Sequence, residues 1–257
     1  MYFTTLASGS KGNCTFVGTA NTRVLVDAGI SAGRIVKTLQ TLGESIQQIK
    51  AILITHEHTD HISGVQQLAQ KYQIPVYASP KTWQALPFAE VLPPQQKKVF
   101  DYQMQLGDLQ VEFCKTSHDA AQPVGILFQQ GNSRLGFVTD TGAITKGMLR
   151  QLRHLDGLVV EANHSYDMLL KGPYPQFLKK RIAGSCGHLS NWQTAQLLCH
   201  VLRDKPVNVV LAHLSEINNR PEVALQEVRQ GLQQLGMQRE IALQVAPVAA
   251  ALPLIQL

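Results

Sequence analysis

Short apolar runs separated by turn residues open the chain, and they predict strands near 2–7, 13–18 and 22–27. The spacing then changes from two to three and four. Ile35, Leu39 and Leu42 fall on one face of a helix expected at about 33–42, with Ser31 ahead of it and Gly43 to stop it. The run AILIT (51–55) predicts a buried strand, and ISGVQQLAQKY the helix that follows. Further strands are expected at 110–116, 124–130 and 134–139. From 145 the pattern alternates: helix 145–153, strand 157–161, helices near 175–183 and 191–203, strand 207–212. A long helix at 222–235 starts at Pro221 and stops at Gly236, the residues suited to those positions. The apolar tail VAPVAAALPLIQL (245–257) carries two prolines and reads as strand and coil packed on the body. No repeat, low-complexity stretch or charged linker interrupts the chain, so one domain over 1–257 is expected, an α/β arrangement of sheets covered by helices.

Composition narrows the classes. No run of 18 or more apolar residues exists, which excludes a transmembrane helix. The N-terminal MYFTTLASGSKGN lacks a basic segment before an apolar core, so no signal peptide is expected and the location is read as cytoplasmic. Cys14, Cys114, Cys186 and Cys199 form no C-x-x-C pair and read as reduced, buried thiols. A net charge of +5 is compatible with a polyanionic partner without requiring one.

The chemistry concentrates in HEHTDH. His56, His58, Asp60 and His61 supply four N/O ligands within six positions, where an apolar strand ends and a helix begins. At a strand end, residues i and i+2 point the same way, so His56 and His58 can converge on one point while Asp60 and His61 address a second. The bland alternative is a solvated histidine-rich loop. A helical H-E-x-x-H protease motif is excluded, since position 60 is aspartate. One loop cannot complete two coordination spheres. His118, Asp140 and His213 each follow an apolar run, as does Asp27, and strands that end in such residues deliver chemistry to one edge of a sheet.

Asp27, HEHTDH, His118, Asp140 and His213, in this order and context, resemble the five motifs of the metallo-β-lactamase superfamily. The resemblance implies an αββα four-layer sandwich, two mixed sheets flanked by helices. It places His56, His58 and His118 on one divalent ion and Asp60, His61 and His213 on the other. Asp140 would bridge them and Asp27 would brace the loop. Asp60 counts among the catalytic residues as well. The ligand types suit Zn, Mn or Fe. A pair of such ions generates a nucleophile from water at neutral pH and stabilises charge on substrate oxygens.

Two departures exclude branches of that superfamily. Position 140 is not the cysteine of true β-lactamases, and position 58 is not the glutamate of diiron flavoproteins. Glu161 at a strand end and His188 before a helix resemble the glutamate–histidine pair of tRNA-processing and DNA-nuclease branches, in which the histidine is the general acid. Ser190 with Gln193 forms a capping-box pattern, so a helix should start near Asn191, its N–H groups facing an anion such as phosphate. LASGSKGNCTFV, VEANH, GPYP, RIAGSCGHLSN and LAHLSEINN are similar to the YycJ family, also called WalJ or VicX. That resemblance, covering residue 3 to about 245, implies a 5′-to-3′ exonuclease on double-stranded DNA with a role in mismatch repair. Alternatives are a small-molecule (cyclic) phosphodiesterase, a tRNA 3′-processing-like ribonuclease and a non-catalytic metal-binding regulatory protein.

Remaining candidates are substrate contacts. Ser8, Ser10, Lys11 and Asn13 read either as a hairpin turn or as a loop beside the metals. Lys179, Lys180 and Arg181 read as a solvated helix face or as phosphate contacts, and Ser190 and Asn191 as contacts at the helix start. His164 is expected to be structural, His154 and His200 surface or packed, and Asp119 a supporting acceptor of His118 or exposed. The oligomeric state is not legible.

Overall fold

A computed structural model describes residues 1–202, 207–237 and 241–257. Among these residues two sheets of seven strands each, numbered in chain order, lie face to face. The first runs β14 (Ile255–Gln256), β1 (Tyr2–Ala7), β2 (Cys14–Gly18), β3 (Arg23–Val26), β4 (Ile49–Leu53), β5 (Val76–Ala78) and β6 (Lys97–Val99). The second runs β13 (Ala242–Val245), β12 (Asn208–Ala212), β11 (Gly157–Glu161), β10 (Ser133–Val138), β9 (Val124–Gln130), β8 (Leu109–Lys115) and β7 (Gln103–Leu106). Each sheet is mixed: hairpin-like pairs such as β1–β2 and β8–β9 are antiparallel, while β3–β4–β5–β6 and β10–β11–β12–β13 are parallel.

Alternation builds three apolar layers. In β3, Val24 and Val26 face the other sheet, and Leu25 faces the outer helices. In β11 and β12, Val159 and Val210 face inward, and Leu158, Val160, Val209 and Leu211 face out. Both faces are buried, so these strands read as continuous apolar runs. Helices α1 (Ala32–Thr41), α2 (Thr59–Ile62), α3 (Val65–Tyr72) and α4 (Pro80–Ala85) belong to the first half of the chain. Ile35 and Leu39 of α1, Val65 and Leu68 of α3 and Trp83 of α4 cover the outside of the first sheet. The second half supplies α5 (Lys146–Gln151), α6 (Tyr166–Lys171), α7 (Gln176–Ile182), α8 (Asn191–Val201) and α9 (Pro221–Gln234). Met148, Leu197, Leu198, Val228 and Leu232 from α5, α8 and α9 cover the outside of the second sheet. The layers are therefore helix, sheet, sheet, helix, as expected.

Several elements differ from expectation. The helix expected over 62–72 breaks into α2 and α3 at Ser63 and Gly64. A Cβ on Gly64 would stand 2.2 Å from the Ile30 carbonyl oxygen, so only glycine lets the loop after β3 lie against this turn. β5, β6 and β7 were not foreseen, because three- and four-residue strands are too short to show a period. Nor were β13, α4 and α6. The helix expected over 191–203 ends at Val201, and position 203 lies outside the described residues. The C-terminal tail packs on the body, with β14 paired to β1 (Tyr2 with Gln256, Phe3 with Ile255). None of the four cysteines is in a disulfide, but only Cys14 and Cys114 are buried. Cys199 is half-buried and Cys186 is exposed, since it sits in the loop before His188 rather than in a strand. Among the described residues no helix is long and apolar enough to cross a membrane.

Candidate metal centre

The parallel pairings send the C-terminal ends of β3 and β4 to one edge, and those of β10, β11 and β12 likewise. β8 runs parallel to β10 because both are antiparallel to β9 between them. Asp27, His56, His118, Asp140, Glu161 and His213 all lie at or just beyond these strand ends. Asp27, Asp140 and His213 have φ of 57°, 55° and 52°. This left-handed conformation costs a non-glycine residue about 1–2 kcal/mol. Three of the five such residues among those described fall in this one site, which marks it as a place where the fold holds backbone strain.

Asp27 ties β3 to the HEHTDH loop. Its carboxylate accepts the Thr55 backbone N–H (2.8 Å) and hydroxyl (2.8 Å), and it faces His61 Nδ1 at 2.7 Å. A buried carboxylate only accepts, so His61 Nδ1 carries the proton and Nε2 is left for the site. Burial works against charge on His61, but Asp140 and Asp27 outweigh it and lift its pKa to about 10. His118 is oriented in the same way: Nδ1 donates to the Gly187 carbonyl (3.0 Å), leaving Nε2 3.3 Å from His58 Nδ1. Burial keeps both His118 and His56 below the usual histidine range, so they are neutral donors of lone pairs.

These side chains gather into two neighbouring groups. Ligand atoms of His56, His58 and His118 all lie within 4.8 Å of one another, as do those of Asp60, His61 and His213. Asp140 stands between them, Oδ2 3.4 Å from His61 Nε2 and Oδ1 3.5 Å from His213 Nε2 and 3.8 Å from His118 Nε2. Burial alone would raise the pKa of Asp140, but the surrounding histidines His213, His61 and His56 hold it well below the carboxylate range. Asp60 Oδ2 is 3.3 Å from His213 Nε2. His56 Nε2 and Asp140 Oδ2 are buried with no hydrogen-bond partner. Two orphaned acceptors in one pocket are costly unless a cation occupies it, and an N/O donor set of this kind suits divalent metal ions.

His188 closes the far side. Its Nδ1 donates to Glu161 Oε2 (3.0 Å), and Glu161 Oε1 accepts the Thr141 N–H (2.6 Å). Glu161 is fully buried, and Thr194 Oγ1 donates to its carbonyl (2.7 Å). Burial opposes a charge on His188, but Glu161 outweighs it and raises the pKa to about 9. Both groups open into a cleft of about 350 Å³, lined in addition by Ser10, Asn163, Tyr174, Leu178, Arg181 and Ile182.

The candidate substrate contacts separate under this geometry. Ser10 and Arg181 line the cleft. Asn13 is buried: its Oδ1 accepts the Gly9 N–H, and Nδ2 reaches Asp60 Oδ2 at 3.2 Å, so it steadies Asp60. Ser8 is likewise buried, its Oγ accepting the His213 N–H (2.7 Å). Lys11 pairs with Glu216 at 2.6 Å on the surface, outside the cleft lining. Lys179 is not a phosphate contact: it is 9% exposed and its Nζ donates to the Leu170 carbonyl (2.6 Å). Lys180 is exposed. α8 does begin at Asn191 and the capping box forms, but its N-terminus is no anion site. Gln193 takes the Ser190 N–H, the His164 carbonyl takes the Asn191 N–H, and Asn191 is fully buried with its amide on Glu227 and Asn219. Ser190 and Asn191 are therefore structural. His164 is buried as expected, and Asp119 pairs with Arg181 beside His118. Sequence reading missed Thr55, Thr141 and Asn163. Asn163 Nδ2 donates to the His213 carbonyl (2.9 Å), and its only sequence signal is its place two residues after Glu161.

Comparison with known proteins agrees with this arrangement. The family model described as the β-lactamase superfamily domain matches residues 22–214, which include every strand-end residue named above. The chain belongs to the metallo-β-lactamase superfamily. Within the superfamily it is 40% identical over 240 residues to exodeoxyribonuclease YycJ of Bacillus anthracis, covering 92% of this chain and 90% of that protein. It is 38% identical over 227 residues to exodeoxyribonuclease WalJ of Streptococcus pneumoniae, covering 86% and 84%. Among solved structures, the metallo-β-lactamase fold protein YhfI from Bacillus subtilis superposes with a TM-score of 0.74 over 98% of this chain and 99% of the other, at 14% identity, a likeness of fold. The resemblance read from the motifs is thus borne out in family and in fold.

Proposed function

We propose that this chain is a two-metal phosphodiesterase that degrades DNA, acting as a 5′-to-3′ exonuclease. The observation that carries the reading is the contact of buried Glu161 with His188 at 3.0 Å, His188 lining the same cleft as the two ligand groups. A purely structural metal site has no use for such a pair, and relatives at 38–40% identity over most of the chain are named exodeoxyribonucleases. His56, His58 and His118 would hold one ion, Asp60, His61 and His213 the other, with Asp140 shared. When bound, the ions supply a water of lowered pKa as nucleophile and stabilise charge on the phosphate oxygens.

The chain's own residues do the rest. Asp27 and Gly187 set the tautomers of His61 and His118, so that each presents Nε2 to the site. Asn13 and His213 hold Asp60 in place. Glu161 occupies Nδ1 of His188, which leaves Nε2–H to protonate the departing 3′ oxygen. The raised pKa of His188 keeps that proton in place at neutral pH.

End-labelled duplex DNA tests the reading with Mn and Zn, using Asp60→Ala as the control. Stepwise release of nucleotides from the 5′ end supports it; hydrolysis confined to small phosphodiesters, with DNA untouched, sinks it. The proposal extends to a cytoplasmic enzyme that excises DNA in mismatch repair, for which a deletion strain should show a raised mutation rate.

A further inference from the structure

Between β11 and α8 the chain leaves the second sheet and builds one wall of the cleft. Leu178, Arg181 and Ile182 of α7 face the cleft. At ~100° per residue, Phe177 lies about 40° around the helix from Arg181, and Lys180 about 60° further. Phe177 therefore stands on the rim, 74% exposed, and Lys180, about 160° around the helix from both Leu178 and Ile182, faces outward just beyond it. The opposite side of α7 is fixed, with Lys179 Nζ on the Leu170 carbonyl (2.6 Å). Arg181 Nε donates to Asp119 Oδ2 (2.7 Å), which ties the rim to the His118 loop. The aromatic ring is thus held facing water by a helix that cannot easily turn it inward.

The charged side chains of the loop and helix that build this wall are all positive, although Lys171 pairs with Asp167 (2.8 Å) and Arg181 with Asp119 across the cleft. From Lys171 to Arg181 the segment carries four cations and no acidic residue. Lys180 has no acidic partner among the described residues. An exposed aromatic on the lip of a cleft with two cation-suited ligand groups at its floor, and an unpaired lysine next to it on the outer face, match a chain of bases and phosphates that enters from outside. A lone apolar side chain on a surface would need no explanation. Its position one step from a cleft-lining arginine, in a uniformly basic segment, is what gives it one.

We infer that α7 is the entry track for the end of a nucleic-acid strand, with Phe177 stacking on an unpaired nucleobase and Lys180 meeting the adjoining phosphate. The inference rests on the nuclease reading and deepens it. Every base offers a π-face, so such a contact grips without choosing sequence, as processive removal of nucleotides demands. Lysine supplies a point charge that accommodates phosphate in many orientations.

The test compares Phe177→Ala and Phe177→Trp with wild type on duplex DNA bearing a short 5′ overhang. Bis(p-nitrophenyl) phosphate serves as a substrate without bases. Phe177→Ala should raise KM for DNA by about 5- to 100-fold with kcat held within about twofold, the range expected for one lost base stack. Phe177→Trp should restore KM. Abasic sites across the overhang should cost wild type the same factor and cost Phe177→Ala nothing further. Lys180→Ala should reduce the slope of log affinity against log salt by about 0.7. If wild type degrades DNA while Phe177→Ala keeps its KM, or loses kcat instead, the inference falls and the nuclease reading stands. Failure of Phe177→Trp to restore KM also overturns it. A wild-type protein that cleaves the small diester but no DNA overturns both.

Discussion

Replacing Glu161 by glutamine isolates the charge that the general-acid reading depends on. The Thr141 N–H, 2.6 Å from Oε1, requires an oxygen there, so the new amide nitrogen must face His188 Nδ1. An amide donates where the carboxylate accepted, which forces Nδ1 to be unprotonated and removes the proton that Glu161 stabilised. The pKa of His188 then falls from about 9 toward the ordinary 6.5, burial pushing it down and Asp140 and Asp119 alone left to hold it up. At pH 8 the protonated fraction drops from about 90% to as little as about 3%, a loss of up to about 30-fold in acid catalysis. The sign is specific. A raised pKa keeps the acid competent on the alkaline side, so the alkaline limb of kcat/KM should move to lower pH by as much as ~2.5 units while the acid limb stays. The assay is a pH profile on end-labelled DNA, with metal per chain measured by atomic absorption. An unmoved alkaline limb refutes the argument. So does loss of metal, which would make Glu161, His188 and His213 a ligand group instead.

Asp27→Ala removes the acceptor of His61 Nδ1 and of both Thr55 donors, so metal affinity should fall about 10- to 100-fold by calorimetry. In metal-free protein His61 is protonated up to about pH 10, so loading at pH 8 should release a proton and apparent affinity should rise with pH. Titration in two buffers of different ionisation enthalpy reads that proton, and identical heats would count against it. Gly29→Ala should abolish stable folding or metal binding, because a Cβ there would meet the Asp60 carbonyl oxygen at 1.6 Å. Gly33→Ala in α1 is its control: nothing lies within 4 Å, and thermal stability should hold or rise by about 0.5–1 kcal/mol.

Long elements were legible because burial on both faces leaves an unbroken apolar run, as in β11 and in β4 after the exposed Lys50, and because α9 has both its start and stop residues. The strand-end residues were legible for the same reason: each apolar run stops abruptly at a polar residue. Short edge strands were not, and neither was the left-handed backbone at Asp27, Asp140 and His213. Lys179 and Asn191 were misread together. A charge run and a capping box look the same in sequence whether they face water or a neighbouring helix. Here Leu170 of α6 captures Lys179, while Glu227 of α9 and Asn219 capture Asn191.

Which residue types stand at strand ends, and in what order, is written along the chain, and with it the superfamily and its four layers. That information is local, because a ligand motif and an apolar period are written in neighbouring residues. Tertiary structure decided which nitrogen of each histidine faces the site, that Glu161 reaches His188, and which polar groups are spent on structure rather than left for substrate. The first two outcomes hang on partners 27 to 69 positions away, such as Glu161 for His188 and Gly187 for His118, and only packing brings such distant groups within hydrogen-bond reach.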